Sequence, residues 1–145
     1  MTCDEVDPLA LFNNPTYASS FSAFSQPRLF TPVGSNVTEA VFFVPGSNGS
    51  VPAAIRGFGV IFSDVDQPDG NRPSKKHGNR EASTLVECFG ADGKVLFSSF
   101  VPASPGDATF SFLGVLFDQP LITRARITSG DTAPGPDEDE NKTSL

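Results

Sequence analysis

Glycine and proline set the first limit on this chain. Each occurs 13 times in 145 residues, and the breaks are spread along the length. Proline removes a backbone donor and glycine loosens the chain, so segments between such breaks are too short for long helices. Few stretches carry apolar residues at helical spacing. Several carry them at every second position, the period of a half-buried strand. The expected class is all-β.

The strand signals come in order. Arg28 to Thr31 is a short run between Pro27 and Pro32, and Glu39 to Val44 is β-branched and aromatic, closed by Pro45-Gly46. In Ala54 to Ser63, Phe58, Val60 and Phe62 fall on one face, with Gly57, Gly59 and Ile61 on the other. Thr84 to Phe89 and Lys94 to Val101 flank Gly90-Ala91-Asp92-Gly93, where Asp-Gly is a hairpin signal. Thr109 to Phe117 begins with Phe110 and Phe112 on one face and then changes phase at Gly114, as a bulge would make it do. Leu121 to Thr128 places Leu121, Thr123, Ala125 and Ile127 inward and Arg124 and Arg126 outward. Short strands with turn signals about every 8–12 residues predict a two-sheet antiparallel sandwich. Residues 1–27 read as an irregular lead-in, in which Phe21 and Phe24 form an edge strand or a wrapping loop. Residues 28–130 form the sandwich and 131–145 an acidic tail. The expected core contains Phe58, Val60, Phe62, Phe110, Phe112 and Ile127.

Charge narrows the partners. The formal net charge is −7, which disfavours nucleic acid or an anionic membrane and suits cations. Arg72, Lys75, Lys76 and Arg80 gather in one polar loop, read first as a solvated insertion and second as a grip for an acidic partner. No apolar run approaches the roughly 18 residues needed to span a bilayer, and no signal peptide is expected from the acidic start Met1 to Glu5. A disulfide between Cys3 and Cys88 would suit an oxidising compartment. The favoured alternative makes Cys88 a small buried core residue, with Cys3 in a loose terminus.

Asp64-Val65-Asp66-Gln67-Pro68-Asp69-Gly70-Asn71 is the best local motif for chemistry. Calcium takes roughly six to eight oxygen ligands, and a short loop of carboxylates around a glycine supplies them. Asp64, Asp66 and Asp69 are the candidate metal ligands, joined by Asp131, Asp137 and Asp139 if the fold brings the tail alongside. The other reading of the motif is ordinary turn chemistry at a strand end. Zinc lacks ligands at suitable spacing. His77, the single histidine, sits in the basic loop with no nucleophile elbow to serve. Glu87, the one acid in an apolar setting, reads as the outward residue of an alternating strand. A hydrolase is therefore the third reading, and no catalytic residue is expected. Carbohydrate binding ranks second, because the chain has no Trp and one Tyr to stack on a sugar.

Arg28-Leu-Phe-Thr-Pro-Val-Gly-Ser-Asn-Val-Thr38, Phe42 to Gly46 and Arg56 to Asp66, followed by Val101 to Ser104, Phe112 to Phe117 and Ala125 to Gly130, carry a resemblance. In that order they resemble the β-sandwich domain of exported bacterial proteins, often with PEP-CTERM-type sorting tails. The resemblance spans residues 28 to 131, about 70% of the 145 residues. It implies a jelly-roll sandwich of galactose-binding-like type, exported and without an assigned enzymatic activity. The implied location is extracellular or the cell envelope, and the implied partners are a glycan or another surface protein. Three sequons, at Asn36, Asn48 and Asn141, carry little weight in that bacterial setting. Relative to the pattern, the segment from Asn71 to Ser83 is longer and more basic, and a final strand after the acidic tail is missing. A sheet edge left open by that strand predicts weak self-association, or reliance on a strand supplied in trans. The expected role is a non-catalytic, calcium-stabilised binding or adhesion domain.

Overall fold

A computed structural model describes residues 12–25, 29–66, 83–130 and 132–136. Within them the chain is a sandwich of two antiparallel sheets. The strands are β1 (Val37–Val41), β2 (Gly57–Ser63), β3 (Leu85–Phe89), β4 (Val95–Phe100), β5 (Phe110–Leu116) and β6 (Arg124–Thr128). One sheet has the order β1-β6-β3-β4 and the other pairs β2 with β5. A single helical turn, α1 (Tyr17–Ser20), precedes them. No helix among the described residues is long and apolar enough to cross a membrane.

Alternation decides which side chains meet between the sheets. Phe62 is buried, and Phe58 and Val60 pack against the same core as Val65, Val86, Val101 and Ile127. Cys88, Ile122 and Ala125 form a second buried group nearer the other end. Cys88 carries a free, buried thiol, as the core reading of that residue expected. Arg124 and Arg126 face outward, where both donate to Glu39 Oε1, Arg124 Nη1 at 2.7 Å and Arg126 Nη2 at 2.7 Å. Glu87 lies beside them, with Arg126 as its neighbour across the strand pair. The Asp-Gly turn closes β3 onto β4: Gly90 N–H donates to Lys94 O at 3.0 Å, and Gly93 takes φ +77°.

Several expectations are corrected. Phe110 and Phe112 do not face the core; Phe112 is 64% exposed. The pairing of β2 with β5 runs from Gly57↔Leu116 to Ser63↔Phe110 without a register shift, so Gly114 makes no bulge. With one phase throughout, only one apolar set of β5 can turn inward. Leu113 and Val115 of β5, continued by Phe117, take the inner side, and Phe110 and Phe112 take the outer. Gly114 has a different use: it sits opposite Gly59, and the Phe112 ring lies over both. A Cβ added at Gly114 would come within 2.8 Å of that ring. The bulge falls instead where Cys88 and Phe89 oppose Phe97 and Val95, leaving Leu96 as the extra residue.

Leu121 is exposed and its neighbour Ile122 is buried, because Ile122 bridges to Ile55 just ahead of β2. The described part of the first expected strand, Leu29 to Thr31, forms no strand. Proline on both sides removes the donors a ladder needs there. The lead-in is not wholly irregular either. Phe12, Tyr17 and Phe21 make a small core of their own around α1, with Leu29 packed on it.

Candidate binding cleft

Beside β2 the described residues form a cleft of about 360 Å³. Three parts of the chain build it. Val60 to Ser63 of β2, with Phe110 of β5, form one wall. Thr38 of β1, Ile127 of β6 and Ser129 just beyond it form the floor, contributed by the opposite sheet. The lead-in supplies the second wall through Ser22, Phe24 and Ser25, continued by Leu29 to Pro32.

Local hydrogen bonds fix that second wall. Ser22 N–H donates to Ser63 Oγ at 2.8 Å, and Ala108 N–H donates to Ser20 O at 2.8 Å. Phe24 meets Phe110 edge to face, with ring centroids 5.6 Å apart. Further back, the C-terminal side of the chain clasps α1. Asn14 Nδ2 donates to Gly135 O at 3.0 Å, and Gly135 N–H donates to the Tyr17 hydroxyl at 3.2 Å. The floor is tied down at Ser129, whose N–H donates to Asn36 O at 2.8 Å, while Asn36 Nδ2 donates to Gly130 O at 2.9 Å.

The chemistry of the lining is narrow. Its apolar members are mostly Phe, Val, Ile and Leu, and its polar ones are Ser and Thr hydroxyls. None of its side chains titrates near neutral pH. Phe30 stands at the rim with 84% of its surface exposed, an unusual setting for a phenylalanine. Such a lining excludes water around an apolar guest and offers hydroxyls to orient it.

The expected metal ligands lie just past the end of β2. Asp64 is 4% exposed, sits in the left-handed region at φ +61°, and its N–H donates to Thr109 O at 3.1 Å. Asp66 Oδ1 accepts from Gly106 N–H at 3.0 Å. Among the described residues no group of three His, Cys, Asp or Glu comes together. Asp69, Asp131, Asp137 and Asp139 lie outside the described residues, as do Cys3, His77 and the basic loop from Arg72 to Arg80. The described part of the motif thus bonds to the loop at 104–109 twice, through the Asp64 main chain and the Asp66 carboxylate.

Sequence reasoning passed over the cleft. One signal for its wall was present, the interleaving of Ser and Phe between Ser19 and Gln26. The rest depends on β1 and β2 being edge strands, a property of the topology. Comparisons with protein-family models, with curated proteins and with solved structures each found no match.

Proposed function

We propose that this chain is a non-catalytic binding module, serving adhesion or as an accessory domain of an extracellular or cell-envelope protein. One observation carries the reading: an aromatic cleft, free of titratable side chains, opens to solvent at one side of the sandwich. Exposed apolar surface gathered at a concavity marks a place where something binds. Hydrolysis by acid and base needs paired groups of tuned pKa, which the lining does not supply. The resemblance to exported β-sandwich domains supports the location.

The glycan reading stays second, favoured by the exposed Phe30 ring beside hydroxyls. Parallel arrays of glycans and of peptides, probed with the labelled full chain, test the proposal. Selective retention on some array members, with those members recovered unaltered, is the expected result. Retention nowhere above a control protein, or cleavage of the retained members, would contradict it.

Calcium enters the proposal as a stabiliser. Asp64 and Asp66 provide hard oxygen donors at one strand end, the chemistry that calcium prefers. Binding to the native state alone raises the melting temperature by mass action. Millimolar calcium should do so for the wild type and fail to do so for Asp66→Ala. A melting temperature indifferent to calcium and to chelator removes calcium from the account and leaves the cleft untouched.

A further inference from the structure

Four strands end the two sheets: β1 and β4 in one, β2 and β5 in the other. An edge strand's outward N–H and C=O groups pair readily with other strands, so proteins guard edges with charge, with bulges or by covering them. Three of these four are guarded. β1 carries Glu39, paired with both arginines of β6. β4 has its bulge at Leu96, close to the ion pair of Lys94 with Asp92. The lead-in reaches the end of β2, where Ser22 N–H donates to Ser63 Oγ. β5, by contrast, reads Phe-Ser-Phe-Leu-Gly-Val-Leu from Phe110 to Leu116, with no charge, no proline and no bulge.

The register says which of its main-chain groups look outward. Asp64 N–H donates to Thr109 O at 3.1 Å, and Phe117 N–H donates to Arg56 O at 2.8 Å. With unbroken pairing between those points, Ser111, Leu113 and Val115 direct their hydrogen bonds to β2. Phe112, Gly114 and Leu116 turn theirs the other way, and no described residue pairs with them. Gly114 shows that water reaches this edge. It is exposed although it has no side chain and the Phe112 ring lies over its outer face, so the surface it offers is main chain. Phe112 and Leu116, on either side, are 64% and 77% exposed. None of the three lines the cleft.

We infer that β5 pairs antiparallel with β5 of a second copy of this chain, about a two-fold axis at Gly114. The strand complements itself in that register. Gly114 meets Gly114 in a hydrogen-bonded pair, and Phe112 stands across from Leu116 of the other copy, so apolar side chains meet on one face. Asp118, just past the strand, falls opposite Phe110 and not opposite another acid. That matters for a chain of net charge −7, whose copies repel each other wherever acids are opposed. The two short sheets then join into one of four strands. A large side chain carries on the order of 200 Å², so two of them per copy fall well short of the roughly 800 Å² per partner that a standard interface buries. The association is therefore weak, with a dissociation constant on the order of 100 µM.

Sedimentation equilibrium of the full chain should show a monomer–dimer equilibrium on that scale. Raising salt from about 50 to about 500 mM should strengthen it, since screening relieves the repulsion and leaves the apolar contact. Leu116→Lys should weaken dimerisation at least tenfold by placing charge on the edge. Val95→Lys, at an exposed position of β4, should leave it unchanged. Hydrogen exchange decides should Leu116→Lys fail to fold. The wild-type Phe112, Gly114 and Leu116 amides should exchange about threefold more slowly at about 500 µM than at about 10 µM, as mass action on such a dimer requires. A chain that stays monomeric up to that concentration would overturn the inference, as would a dimer that salt dissolves. So would a dimer weakened by Val95→Lys and not by Leu116→Lys, or exchange at the three amides that ignores concentration. Each of these results leaves the binding reading of the cleft untouched.

Discussion

Burial separates residues that look alike in the sequence. Phe62 and Phe112 are both strand phenylalanines, yet one is 2% exposed and the other 64%. Phe62→Ala leaves a cavity between the sheets and should cost about 3–5 kcal/mol in urea unfolding. Phe112→Ala removes a ring from the outer surface and should cost about 1 kcal/mol or less. Equal costs would mean that the phase of β5 is wrong. Charge behaves as locally. The Arg126 hydrogen bond, helped by the Arg124 charge, holds the Glu39 carboxyl below its ordinary range. A folded-state pKa below the unfolded value, about 4.3, means stabilisation that is present above that pH and lost as pH falls through the folded value. Glu39→Gln should therefore flatten the acid side of the stability profile, and acid titration of melting temperature for both proteins checks it. An unchanged profile would show that the exposed pair contributes nothing. Burial pushes the Cys88 thiol up. In a Cys3→Ser background it should resist a thiol reagent at neutral pH until the protein is unfolded.

At the scale of the strand, period-two reasoning succeeded where one apolar set was available and failed where two competed. Phe58, Val60 and Phe62 alternate with Gly57, Gly59 and Ile61, so β2 had one strongly apolar face to offer. Arg124 and Arg126 likewise left Ala125 and Ile127 as the inward pair. In β5, Phe110 and Phe112 compete with Leu113 and Val115 for the same side, and only the partner strand's register decides. Reading a bulge into Gly114 was the local way out. The fold takes another, filling the outer space of the Gly59–Gly114 pair with the Phe112 ring, as aromatic rings do over strand glycines. Gly114→Ala should accordingly cost about 1–3 kcal/mol by overpacking, and much less in a Phe112→Ala background. Additive costs in that double-mutant cycle would show that ring and glycine are independent.

For the molecule as a whole, the all-β sandwich was legible from Gly and Pro punctuation and strand periodicity, while the cleft was not. It exists because two edge strands, from different sheets, face a lead-in segment held in place by α1, Tyr17 and the clasp at Gly135. Those contacts join residues far apart in the chain, beyond the reach of any local pattern. The carboxylates after β2 were visible as a motif, but the geometry of a metal site depends on long-range neighbours. The central claim is that binding happens at the cleft and not on the outer face of the four-stranded sheet. Phe30 and Phe110 line the cleft and lie partly in solvent, so Phe30→Ser with Phe110→Ser should leave the melting temperature nearly unchanged. The deciding measurement is retention of this double variant on the array members that hold the wild type, beside a Glu39→Gln control. The account predicts at least a tenfold loss for the double variant and none for the control. Undiminished retention by the double variant would contradict it.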